Sequence, residues 1–253
     1  MLWEELSWPQ HKEMAQNGAV VVIPFASMEQ HGPHSPVVVD TLLCENVCKK
    51  AVDGLENVLL TRTVWTGTSH HHFEYPGTIS LRLETYVALI KDIIRSVAHH
   101  GYKKIFVVNG HGGNVQPLQA TLNDIGYDIE LTIWMITYFH LGNEISAEIR
   151  KSPVGGMAHS GEFETAMMLH LRPDLVNMDE AVDQINANPH PLGTKDMHHR
   201  GMLFRPVDFN RNRAPSGVAG MPTAATAENG AQYFEAVSAR LRGLIEELVA
   251  LQV

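Results

Sequence analysis

Two hydrophobic periods alternate along this chain. Short, unbroken apolar runs read as strands, and longer stretches with apolar residues three and four apart read as helices. Residues 4–15 carry a short amphipathic helical pattern. Residues 19–25 are apolar throughout, as expected of a strand buried on both faces. Helical spacing begins near Asp40, with Leu42, Leu43, Val47, Ala51 and Val52, and stops near Gly54. Further strand patterns fall at residues 57–65, 103–109 and 128–136. Helices are predicted over residues 83–99, 115–125, 162–171 and 225–251. Gly101 suits a left-handed C-cap, and Pro173 stops the helix before it. Strands alternating with helices imply right-handed βαβ units around a mostly parallel sheet. The predicted class is α/β, a three-layer α/β/α sandwich formed by a single domain over residues 1–253. Residues 186–223, rich in Pro, Gly, Asn, Arg and His, read as a long loop suited to a lid or an interface.

Ligands of such sheets bind at the carboxyl ends of the strands, and polar clusters follow several strand patterns. After the first come Glu29 and His31, two apart and so on one side of extended backbone. Gly32 and Pro33 turn the chain, and Asp40 opens the next helix. A carboxylate, an imidazole and a second carboxylate form a set suited to zinc, manganese or iron, and Asp40 has two oxygens with which to bridge two ions. The competing reading is a helix-capping Asp beside ordinary loop polar groups. After the third strand stands Asn109-Gly110-His111-Gly112-Gly113-Asn114. Its spacing fits neither phosphate-binding glycine motif, and His111 reads better as a third metal ligand.

His159-Ser160-Gly161-Glu162-Phe163-Glu164 opens a later helix. Acids there suit the helix dipole without any further role. Glu162 and Glu164 lie about 200° apart around a helix, so only one can face a given ion. Glu162 is the expected ligand, and His159, with an ordinary pKa of ~6.5, the expected proton carrier. In an extended loop at most two of His70, His71 and His72 could reach one point, and His70 and His71 read as substrate-pocket lining together with Trp65 and Tyr75. The amides of Gly112 and Gly113 are candidates for an oxyanion.

Composition narrows the partners. The chain has 253 residues, 44% hydrophobic, with a net charge of -9 and no long basic run. Nucleic acid and anionic membrane are poor partners for such a surface. No signal peptide or membrane-spanning run is present in the sequence, so a cytoplasmic location is expected. The two cysteines, Cys44 and Cys48, share a helix face and read as buried hydrophobes. The 15 histidines, several of them clustered, are the one functional hint in the composition.

Five motifs in order resemble the creatininase (creatinine amidohydrolase) family over nearly the whole chain. They are Ser27-Met28-Glu29-Gln30-His31-Gly32-Pro33-His34 with Asp40-Thr41, Tyr75-Pro76-Gly77-Thr78-Ile79-Ser80, the glycine turn around His111, His159-Ser160-Gly161-Glu162-Phe163-Glu164-Thr165, and Gly217-Val218-Ala219-Gly220-Met221-Pro222-Thr223 with Ala225-Thr226-Ala227. The resemblance implies two divalent ions per subunit held by Glu29, His31, Asp40 and His111, with Asp40 as the bridge. Creatinine amidohydrolase carries a ligand Glu where this chain has Gly113, and Glu162 is expected to supply the missing carboxylate. The family's catalytic His and neighbouring Glu map onto His159 and Glu164. The expected function is metal-dependent hydrolysis of a C–N bond in a small cyclic amide, by a homohexamer. Formamide deformylation, peptide cleavage and a non-catalytic metal-binding scaffold are the alternatives.

Overall fold

The computed structural model describes residues 1–185, 191–193, 196–199, 202–203 and 214–252. Of the segment expected as a long loop, residues 186–190, 194–195, 200–201 and 204–213 therefore lie outside the described residues. Helix α1, Trp8–Gln16, starts at a capping box in which Ser7 and Gln10 satisfy each other's backbone amides. Strand β1, Val20–Phe25, and helix α2, Val39–Val52, follow. Strand β2, Val58–Leu60, is shorter than its hydrophobic run, which continues as an isolated bridge from Val64 to Phe25. Then come α3, Leu83–His99; β3, Lys104–Asn109; α4, Val115–Asp128; and β4, Thr132–Thr137. A short helix that hydrophobic spacing did not indicate, α5, Asn143–Ile149, precedes α6, Glu162–Leu171. The last helix, α7, Ala227–Ala250, is capped by Thr226, whose hydroxyl accepts the Asn229 amide at 3.2 Å.

The sheet order is β2-β1-β3-β4 and every pairing is parallel. Successive side chains of a strand enter opposite layers. Val20, Val22, Phe106 and Val108 pack beneath α2, α6 and α7, whereas Val21, Ile23, Ile105 and Val107 pack beneath α3 and α4. The unbroken apolar runs in the sequence are thus explained by burial on both faces. This is the expected three-layer α/β/α arrangement. Among the described residues, no helix is long and apolar enough to cross a membrane. Register places Phe25, Asn109 and Thr137 side by side at one rim of the sheet. The segments leaving β1 and β3 therefore start from the same edge.

Candidate metal centre

Four segments converge on that edge. The chain leaving β1 brings Glu29 and His31, the first turn of α2 brings Asp40, the turn after β3 brings His111, and the first turn of α6 brings Glu164. All five side chains are buried. Asn109 fixes the turn after β3 by donating its side-chain amide to the His111 carbonyl at 2.7 Å and to Thr137 Oγ1 at 3.1 Å. Its Oδ1 accepts the His111 amide at 3.1 Å, so the imidazole leaves the sheet in one direction.

The two acids of α6 exchange the places expected of them. Glu162 turns away from the cluster, and its two oxygens accept the backbone amides of Lys151 and Ser152 at 2.8 and 2.7 Å. Glu164 turns inward, with Oε2 accepting the Ser160 amide at 2.6 Å and Oε1 3.7 Å from His31 Nε2. The ~200° separation around the helix holds, and it selects the opposite carboxylate.

Hydrogen bonds determine which nitrogen of each histidine carries the proton. His31 Nδ1 lies 3.1 Å from the Glu29 carbonyl, and His111 Nε2 lies 3.1 Å from the Thr68 carbonyl. His159 Nε2 lies 2.9 Å from the Gln30 carbonyl. A carbonyl only accepts, so each of these nitrogens carries an N–H, and in the neutral ring the other is a bare acceptor. The bare nitrogens face carboxylates. His31 Nε2 is 3.3 Å from Asp40 Oδ1, His111 Nδ1 is 2.9 Å from Asp40 Oδ2, and His159 Nδ1 is 3.5 Å from Glu29 Oε1. His31 Nε2 and Asp40 Oδ2 are buried with no hydrogen-bond partner among the described residues. Acceptors facing acceptors in a buried cluster are unfavourable unless a proton or a cation lies between them. Two atoms each ~2.1 Å from a common ion come about 3 Å apart, which is the spacing seen. The residues present therefore fit divalent ions, with one Asp40 oxygen toward each of two histidines.

Electrostatics agree. Burial pushes the Glu29 carboxyl up to about 7, against the pull of His111. Burial works to lower His111, but Glu29 and Asp40 override it and raise the imidazole to about 9. His31 is likewise held well above its ordinary value by Asp40 and Glu164 against the effect of burial. Asp40 is held well below the usual carboxylate range, because His31 and His111 outweigh its burial. Among the described residues, three overlapping groups have donor atoms close enough to share an ion: His31, Asp40 and Glu164; Glu29, His31 and His159; and Glu29, His71 and His111.

The histidine run forms a turn of 3-10 helix, His70–His72, rather than an extended loop. His71 stacks on His111 with ring centroids 5.6 Å apart, and buried His72 sits with Nε2 3.3 Å from Glu29 Oε1. His70 lies outside the cluster, exposed, with Nδ1 3.0 Å from Ser80 Oγ. Trp65 is also exposed, and Tyr75 is buried with its hydroxyl donating to the Ala214 carbonyl. Thr68 Oγ1 donates to the Gly113 carbonyl at 2.7 Å, which holds the glycine turn against this loop. Sequence reasoning missed Gln30, His72, Ser27 and Ser69. Ser27 donates to Glu29 Oε2 at 3.0 Å and lies 2.8 Å from Ser69 Oγ. Gln30 and Ser27 flank the ligand candidates within one motif, which is the only signal that marks them.

The family model Creatininase, described as creatinine amidohydrolase, matches residues 4–245. Creatinine amidohydrolase of Pseudomonas putida is 29% identical over 238 residues, covering 87% of this chain and 86% of that protein. The mycofactocin precursor peptide peptidase of Mycolicibacterium smegmatis is 30% identical over 220 residues, covering 85% and 79%. Among solved structures, a manganese form of creatininase superposes with a TM-score of 0.82 at 26% identity and covers 99% of both chains. A Zn–Zn form of a mutant creatininase gives 0.81 at 25% identity over 99% and 98%. With this fold and a match over nearly its whole length, the chain belongs to the creatininase family.

Proposed function

We propose that this chain is a hydrolase that holds two divalent ions, of zinc, manganese or iron, and cleaves a C–N bond in a small cyclic amide. The observation that carries this reading is the facing of His31 Nε2 and His111 Nδ1 onto the two oxygens of Asp40, at 3.3 and 2.9 Å. Glu29, Asp40 and His111 would hold one ion, and His31, Asp40 and Glu164 the other. Mixed imidazole and carboxylate donors accept all three metals. When bound, such ions polarise an amide carbonyl and lower the pKa of a water from 15.7 toward ~7.

The chain's own groups supply the remainder. His159, with Nε2 anchored on the Gln30 carbonyl, presents Nδ1 to the cluster, where it would take up the proton lost by the attacking water and pass it to the leaving nitrogen. Burial together with neighbouring His31 keeps its pKa well below the ordinary value, so the resting ring is neutral. The amides of Gly112 and Gly113, in the turn that follows β3, would serve a developing oxyanion. His71 and Tyr75 stand beside the cluster as substrate contacts, while Trp65 and His70 are peripheral to it. Likeness to a peptidase makes cleavage of a short peptide or formamide the second reading. The family resemblance supports a homohexamer, which light scattering would measure.

The test combines elemental analysis with a substrate panel. Protein reconstituted with zinc or manganese should hold two ions per chain and open lactam or creatinine-like rings. Turnover of peptides or formamides alone would favour the second reading. One ion or none, with no turnover of any amide, would reject the hydrolase.

A further inference from the structure

Gln30 lies between two metal-ligand candidates, and its side chain is fixed by backbone. Its Oε1 accepts the Gly32 amide at 2.9 Å, and its Nε2 donates to the Gly217 carbonyl at 2.8 Å. That orientation leaves one N–H, which has two ring nitrogens beside it, His72 Nδ1 at 2.9 Å and His159 Nε2 at 3.0 Å; the second carries its own proton toward the Gln30 carbonyl, so the N–H goes to His72. A nitrogen that accepts cannot carry the proton, so the N–H of His72 is on Nε2. This N–H lies 3.3 Å from Glu29 Oε1. The other oxygen of Glu29 receives the Ser27 hydroxyl at 3.0 Å. Glu29, buried among acids and imidazoles, thus has a donor beside each oxygen. The His72 ring is wedged against His159, with centroids 4.1 Å apart, which holds both rings in place.

The far end of this chain of contacts is the 214–220 segment. A Cβ at Gly217 would collide with Gln30 Oε1, so the segment comes this close only because a glycine stands there. Outer groups of this kind orient metal ligands, and their loss typically weakens metal binding by about 10–100-fold.

We infer that Gln30 and His72 are positioning residues that orient the Glu29 carboxylate toward one of the two ions and tie that orientation to the seating of the 214–220 segment. The inference rests on the two-ion reading given above. Neither residue is a ligand in it, so their loss acts on one ion and spares the one held by His31 and Glu164.

The experiment is zinc titration of the apoprotein by calorimetry with elemental analysis, on wild type and on His72→Gln, His72→Asn and Gln30→Met, with Glu29→Gln marking the ion concerned. A glutamine amide reaches the place of Nε2 and keeps a donor beside Glu29, whereas an asparagine amide reaches only the place of Nδ1. His72→Gln should bind both ions within a few-fold of wild type. His72→Asn and Gln30→Met should lose about 10–100-fold in affinity for the ion that Glu29→Gln loses, and keep the other. The retained ion reports that each variant is folded; should His72→Asn fail to fold, Gln30→Met carries the same reading. Both ions bound as in wild type by His72→Asn and Gln30→Met would overturn the inference, as would equal weakening of both ions. A wild type that takes up fewer than two ions would instead reject the two-ion reading, and the inference with it.

Discussion

Ser160 donates its backbone amide to Glu164 Oε2 at 2.6 Å, and this contact decides which acid of the last motif faces the cluster. Ser160 adopts a left-handed conformation, φ 57°, unusual for a residue with a side chain. Its hydroxyl donates to the His31 carbonyl at 2.5 Å. One strained residue therefore sets the first turn of α6 and a strand-end histidine in fixed relation.

The two acids of α6 should separate cleanly by mutation. Glu164→Gln is expected to lose one ion of two with little change in denaturant midpoint. Glu162→Ala is expected to retain both ions but to lose stability, at about 1–3 kcal/mol for each of the two amides left without an acceptor. Elemental analysis and urea unfolding of the same preparations check both outcomes.

Asp40 and His159 make a second pair. Asp40→Ala removes a carboxylate that faces both His31 and His111 and should leave at most one weakly held ion and no turnover. His159→Ala should hold metal near wild-type stoichiometry while kcat falls about 10²–10⁴-fold, the usual contribution of a positioned acid–base group. An Asp40→Ala protein with two tightly held ions would contradict the bridging role.

Gly113 leaves no room for a side chain. A Cβ there would strike the Thr68 carbonyl and come within 2.5 Å of His111 Nε2 and 2.9 Å of His71 Cε1. Gly113→Ala should displace the His111 ring and weaken metal uptake. A shift of about 1 Å at such a centre can cost 10²-fold in rate, so kcat should fall steeply. Wild-type zinc affinity in Gly113→Ala would show that the turn absorbs the extra carbon.

A buried clamp away from the centre gives a prediction about pH. Asp196 Oδ2 accepts Arg150 at 2.9 Å and the Gly155 amide at 2.7 Å, holding the loop that leads to His159. Burial would raise its carboxyl, but the Arg150 guanidinium and the Gly155 and His198 amides prevail and hold it below the usual range. A carboxyl depressed in the folded state contributes stability above its unfolded pKa of ~3.9 and loses it as pH falls through the folded value. Asp196→Asn should therefore lower the urea midpoint at pH 7, and its disadvantage should shrink below about pH 4. An equal gap between the two proteins at pH 7 and pH 3 would contradict the assignment.

The sequence by itself determined the layered fold. Strands buried on both faces must be apolar throughout, so residues 19–25 and 103–109 were legible without any partner in view. It also pointed to one rim as the meeting place of Glu29, His31, Asp40 and His111, because parallel strands deliver their C-terminal loops there, and the family resemblance named those four together. Tertiary structure alone decided the rest. Residues 162–168 of α6 are all buried, so no polar face existed in the pattern to say whether Glu162 or Glu164 turned inward. The answer came from the amides of Lys151 and Ser152 on one side and Ser160 on the other. His72 and Gln30 were hidden for a similar reason. Their roles depend on backbone groups of Gly32 and Gly217, the second of them 187 residues from Gln30, and a contact at that separation leaves no periodic trace along the chain.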